Sequence, residues 1–184
     1  METQFPAGSM AVQVVVLVPP TASVEDTSLR ETLSAVLAAA VDRRVLALGG
    51  AVEDWLPAGF HLMGQRGGDY GERMAAALAD AHSTAALPML LIRADVLDVA
   101  PDMLEDAARS LVSGEADAAF GPTSDGGFWL LGLRRPDRSL VVGIPAPSEG
   151  SGAGRLLLER LASAGLRVAL APRLDIAGAA ALRI

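Results

Sequence analysis

Two short, almost continuously apolar runs constrain this chain more than any other feature. They are residues 12–18 (Val-Gln-Val-Val-Val-Leu-Val), which stop at Pro19-Pro20, and residues 87–92 (Leu-Pro-Met-Leu-Leu-Ile). A run without polar alternation fits a strand buried on both faces, as in a parallel sheet covered by helices on each side. The chain between and beyond them agrees. Leu29, Leu33, Val36, Leu37 and Ala40 recur at helical spacing within about 25–41, and short strands are expected at 45–48 and 60–63. A Gly-rich stretch at 64–71 opens an alanine-rich helix to about residue 81. A helix over 101–112 follows, with Pro101 at a natural first-turn position. Strands at 116–120 and 128–133, a helix at 154–164 and a strand at 167–170 complete the pattern. Alternating strands and helices predict an α/β, Rossmann-like fold: a three-layer sandwich around a mostly parallel sheet. No repeat or internal linker interrupts it. One domain over 11–184 is expected, behind a disordered or extended segment at 1–10.

Composition removes several chemistries. The 184 residues include no Cys, so thiolate metal sites, disulfides and cysteine nucleophiles are excluded. All 15 basic side chains are Arg, and without Lys there is neither a Walker-type phosphate loop nor a Schiff-base lysine. The net charge of −7 argues against nucleic acid as a partner, because affinity there comes from neutralising phosphates. Arg134, Arg135 and Arg138 form a basic cluster too short to be a footprint, and a solvated loop accounts for them. No apolar segment approaches the ~20 residues of a membrane span, and the N-terminus does not resemble a signal peptide, so a cytoplasmic protein is expected.

In open α/β sheets, ligands bind beyond the carboxyl ends of the strands. Asp95 follows the buried run 87–92, with Asp98 three residues on. Asp125 lies in the turn Gly-Pro-Thr-Ser-Asp-Gly-Gly. A carboxylate just past a buried strand can hold a hard divalent cation, although such residues commonly serve as loop caps and Asp-Gly turns. The loop 64–71 offers backbone amides before a helix, and Gln65 offers both donors and an acceptor to a nucleobase edge. An ordinary surface turn is the competing reading. A third cluster, Gly150, Gly152 and Gly154, reads as a flexible loop beside a site. His61 and His82 lack metal-ligand spacing and read as structural. No Ser stands in a nucleophile-elbow context.

Three segments together resemble a known family: Gln-Arg-Gly-Gly-Asp-Tyr-Gly-Glu-Arg-Met from Gln65, the stretch 90–104, and Gly-Pro-Thr-Ser-Asp-Gly-Gly-Phe-Trp-Leu-Leu-Gly-Leu from Gly121. They are similar to the bacterial glycosyltransferase-A-like, radical-SAM/selenodomain-associated transferases. That group resembles in fold the molybdenum-cofactor-type nucleotidyltransferases. The resemblance implies a nucleotide-diphospho-sugar transferase (GT-A) fold, with an NTP or NDP-sugar across the sheet's carboxyl edge and magnesium or manganese bridging its phosphates. It implies that Gln65, Gly67, Gly68 and Gly71 contact the nucleotide and that Asp95 ligates the metal. Asp125 would be a general base, beside Gly126, Gly127 and Phe128 at the sugar or acceptor.

This chain also departs from that family. A basic loop resembling Pro-Gly-x-x-Lys-Thr-Arg-Leu is replaced by residues 18–26, which carry acids and no base. Gly-x-Asp-x-Pro becomes Arg93-Ala94-Asp95-Val96-Leu97, and Asp-Val-Asp-Thr becomes Asp175-Ile176-Ala177-Gly178. Asp175 is then the candidate second metal ligand. Two functions follow: a metal-dependent glycosyl- or nucleotidyl-transferase, or a non-catalytic small-molecule or protein-binding module on the same fold. A homodimer that buries Trp55 and Trp129 is a third expectation, with core burial as its alternative.

Overall fold

A computed structural model describes residues 8–148 and 150–178. The expected N-terminal segment falls almost wholly outside them, as does the tail 179–184. Twelve elements are arranged in chain order: β1 (Met10–Val18), α1 (Thr27–Ala38), β2 (Val41–Leu48), β3 (His61–Gly64), α2 (Tyr70–Thr84), β4 (Met89–Arg93), α3 (Pro101–Ser113), β5 (Ala118–Pro122), β6 (Phe128–Leu133), α4 (Arg138–Val141), α5 (Ala153–Ser163) and β7 (Val168–Leu170).

The strands form one seven-stranded sheet in the order β3-β2-β1-β4-β6-β5-β7. All neighbours are parallel except β6, which runs against both β4 and β5. The exception has a local cause. Only residues 123–127 join β5 to β6, a connection long enough for a hairpin and too short for a parallel crossover. β1 lies inside the sheet between β2 and β4, and its side chains divide between two cores. Val14, Val16 and Val18 belong to a core shared with α1 and α3, while Val15 and Leu17 belong to the core on the opposite face, shared with α2 and α5. Each such fully buried side chain contributes about 1.5–3 kcal/mol, which is why an unbroken Val/Leu run is stable here. Trp129 is fully buried in the first core and Trp55 is packed partly buried against it, so the core accounts for both tryptophans.

Two features depart from the periodicity. α1 ends at Ala38 and β2 begins at Val41, four residues before the expected strand. Arg44 of β2 decides this boundary. Its Nε donates to the Val36 carbonyl (2.9 Å) and its Nη2 to the Ala39 carbonyl (2.7 Å), satisfying groups that a helix end leaves open. The single-turn α4 was not expected from the sequence. Arg160 of α5 holds it by donating to the carbonyls of Leu140 and Val142.

Among the described residues, no helix is long and apolar enough to cross a membrane.

Candidate functional site

From β1 the chain goes to β2 on one side, and later to β4 on the other. The strand order therefore reverses between β1 and β4, and in such sheets a crevice opens beyond the carboxyl ends at that reversal. A cleft of about 480 Å³ lies there, between Pro19 at the end of β1 and Arg93 and Asp95 at the end of β4. Gln65, Tyr70 and Arg73 form part of its wall.

The β4 side is built around Arg93, the last residue of the strand. Its Nε and Nη2 form a bidentate pair with Asp95, at 2.8 and 2.6 Å. Nη1 donates to the Phe128 carbonyl at 3.4 Å and stands 3.7 Å from Asp125 Oδ2. The Arg93 side chain is 8% exposed and that of Asp95 is 53% exposed, so the carboxylate faces the cleft while the guanidinium lies behind it. Burial works against the Arg93 charge, but its hydrogen bonds to the Asp95 carboxylate outweigh it and hold the guanidinium above its ordinary pKa. Tyr70 also lines the cleft, and its hydroxyl is buried with no hydrogen-bond partner among the described residues. Burial pushes this phenol well above its ordinary value, so at neutral pH it is a proton-bearing donor.

Asp125 is held by its own turn. Oδ1 accepts from the Thr123 hydroxyl and from the Gly127 N–H (3.0 Å), and the residue does not line the cleft. Gly126 takes the left-handed conformation of that turn (φ 82°). Phe128 turns its ring into the second core against Phe120. Asp98 lies in the loop toward α3 and is not part of the cleft wall.

On the opposite wall, Gln65 Nε2 donates to the carbonyls of Val18 (2.9 Å) and Ala47 (2.8 Å). Its Oε1 has no partner among the described residues, and is the atom left for a ligand. The glycines that follow shape the start of α2. Asp69 Oδ1 accepts from the Glu72 N–H, and Glu72 Oε2 accepts in turn from the Gly68 N–H: a reciprocal cap. Gly67 makes the entry turn with φ 114°. Gly71 leaves room for the loop after α4, since a Cβ there would stand 2.5 Å from the Val141 carbonyl oxygen. Of the four residues expected at the nucleotide, Gln65 alone is on the cleft wall.

The C-terminal segment completes the site. Residues 171–177 leave β7, run along β5 and reach β4, where Val96 pairs with Ile176. The Ala177 N–H donates to the Asp95 carbonyl, and the Leu97 N–H to the Asp175 carbonyl. Ala177 lines the cleft beside Asp95, whereas Asp175 is exposed and does not line it. Among the described residues, no group of three or more His, Asp or Glu side chains could hold a metal ion.

The family profile described as "Uncharacterized protein conserved in bacteria (DUF2064)" matches residues 24–147. The chain belongs to that family. No functionally curated protein matches the sequence.

Solved structures establish the fold. One is a protein from Desulfovibrio desulfuricans G20 whose name assigns it to the nucleotide-diphospho-sugar transferases. It superposes with a TM-score of 0.76 at 19% identity, over 91% of this chain and 82% of its own. Glucosyl-3-phosphoglycerate synthase from Mycobacterium tuberculosis, in complex with Mn2+, UDP and glucosyl-3-phosphoglycerate, gives 0.58 at 17% identity, over 91% and 71%. A CMP:2-keto-3-deoxy-manno-octonic acid synthetase complexed with CTP gives 0.61 at 14% identity, over 89% and 90%. The fold is that of the nucleotide-diphospho-sugar transferases.

Sequence reasoning missed Tyr70 and Arg73 as wall residues, and saw in Arg93 only a departure from the family pattern. A signal was available: an Arg closing an otherwise apolar strand, two residues before an Asp, needs a buried partner.

Proposed function

We propose that the cleft between β1 and β4 binds a nucleotide, and that the protein is a glycosyl- or nucleotidyl-transferase drawing on an NDP-sugar or NTP. The observation that carries this reading is the position of the cleft at the reversal of strand order, with Gln65 on one wall and Arg73 and Arg93 on others. Gln65 Oε1 would accept from a base edge. Arg73 would meet phosphate oxygens, where a guanidinium donor favours the charge of a departing diphosphate or pyrophosphate. The likeness to nucleotidyltransferases such as the CTP-bound synthetase supports the nucleotidyl arm, and that to the UDP-bound synthase supports the glycosyl arm.

The magnesium or manganese expected from the family resemblance does not suit the residues present. Both oxygens of Asp95 are engaged by Arg93, Ala177 stands where a second carboxylate is needed, and Asp125 is held in its turn. No step is assigned to a metal ion.

Calorimetric titration of UDP, CTP and common NDP-sugars tests the binding, with Arg73→Ala as the control. Saturable binding that weakens in the variant is expected, and donor turnover with an acceptor panel would then identify the transferred group. Silence from folded protein across the panel would refute the nucleotide reading. One observation favours a non-catalytic binding module instead: Asp125, the expected base, lies off the cleft wall with one oxygen doubly engaged. Binding without turnover of any donor would select that second reading.

A further inference from the structure

We propose that the Arg93 guanidinium takes the place of a divalent cation between Asp95 and Asp125, so that this cleft works without a bound metal. The claim concerns the chain's own charges. Its extension to ligand binding rests on the nucleotide reading above.

The guanidinium is placed as an ion would be. It bonds both Asp95 oxygens and stands 3.7 Å from Asp125 Oδ2, with the Phe128 carbonyl as a third oxygen partner. The surrounding residues are shaped for it. A Cβ at position 127 would stand 3.0 Å from Asp125 Oδ1 and 3.2 Å from Arg93 Nη1, so glycine there suits the close approach of both groups. Beside Asp95 the chain carries Ala177, whose methyl group offers no ligand.

Charge and reach both oppose a second cation. A metal bound to the Asp95 oxygens at about 2.1 Å would lie within roughly 5 Å of a permanent positive charge, in a half-buried setting that screens poorly. The arrangement also leaves the Asp95 carboxylate anchored on the cleft wall, with one Nη2 hydrogen of Arg93 not used by it. Because the Arg93 charge is covalently fixed, the site needs no ion to be loaded before an anionic ligand arrives.

Manganese titration, followed by the paramagnetic resonance of the free ion, tests this directly on the whole chain. The native protein is expected to show no saturable manganese binding. Arg93→Gly frees both carboxylates and is expected to gain a site at least about tenfold tighter than any in the native protein, removed again by adding Asp95→Asn. Arg93→Gln, which keeps a packed stem, is measured beside it in case the glycine variant does not fold. Saturable manganese binding by the native protein that disappears in Asp95→Asn would overturn the proposal. So would failure of both folded Arg93 variants to gain a site.

A parallel titration of UDP and CTP in EDTA and in manganese separates the two readings. Equal affinity in both buffers supports a fixed cation, and binding that requires manganese overturns it. If neither nucleotide binds in either buffer while the Arg93 variants still acquire manganese, the nucleotide reading fails and the assignment of Arg93 stands.

Discussion

The two edges of the central sheet each carry a partly or wholly buried arginine cluster, and they differ in what faces the guanidinium. At the amino edge, Arg43 Nη1 donates to Gln13 Oε1 (2.6 Å), and Gln13 Nε2 donates to the Ala85 carbonyl (2.8 Å). Every partner is neutral, and burial lowers the pKa of Arg43. At the carboxyl edge, Arg93 is the more buried of the two, yet its bonds to Asp95 raise its pKa despite burial. Gln13 is fully buried and ties β1 to the end of α2, whereas Asp95 opens onto the cleft. Comparable chemistry therefore serves cohesion at one edge and presents charge at the other. What separates them is whether the partner is a neutral amide or a carboxylate with a face toward solvent.

The comparison can be broken most sharply at Asp125. Removing this 8%-exposed carboxylate in Asp125→Ala takes away the bonds from Thr123 and Gly127 and one neighbour of the Arg93 charge. A loss of about 3 kcal/mol is expected from urea denaturation. At the amino edge, Gln13→Leu leaves Arg43 and the Ala85 carbonyl without their amide, and about 1–3 kcal/mol should be lost. Nucleotide affinity should be unaltered in that variant. Equal weakening of binding by Gln13→Leu and by a cleft variant would erase the distinction between the edges. Arg73→Ala should show the opposite profile: about tenfold weaker nucleotide binding by calorimetry, with stability changed by less than about 0.5 kcal/mol.

The smallest effect lies at the pair of Asp117 and Arg167, which precede β5 and β7 at the amino edge, away from Gln13 and Arg43. Hydrogen bonds from Arg167 hold the Asp117 carboxyl down at about 2, below its ordinary 3.8. A folded value below the unfolded one means that the pair stabilises above about pH 4. That contribution disappears as the pH falls toward 2. Melting temperatures of the native protein and Asp117→Asn should therefore differ slightly at pH 6 and converge near pH 2. A gap that persists at pH 2 would show that the pair does not act through this ionisation.

Much of the fold was legible because burial on two faces leaves a signature in residue type. The runs at 12–18 and 87–92 became β1 and β4, the strands that flank the cleft. The Gly-Pro-Thr-Ser-Asp-Gly-Gly turn became the hairpin between β5 and β6, as its residues favour. The sequence could not place the glycines at 64–71 on or off the cleft wall, because a glycine that lets a ligand approach and one that lets a helix start against a neighbouring loop are the same letter. Nor could it place Asp125: the turn that displays the Asp also engages one of its oxygens.

The sequence by itself determined the layered α/β class, the absence of lysine and cysteine chemistry, and the residues at the carboxyl ends of the buried strands. Only the tertiary structure decided which charges meet. Arg93, Asp125 and Ala177 come from three strand ends or their extensions, separated by 32 and 52 positions along the chain. Local propensity acts over a few residues, whereas the pairing of a buried charge depends on which strands become neighbours. β6 inserting between β4 and β5, and residues 171–177 crossing to Val96, are what bring these groups together.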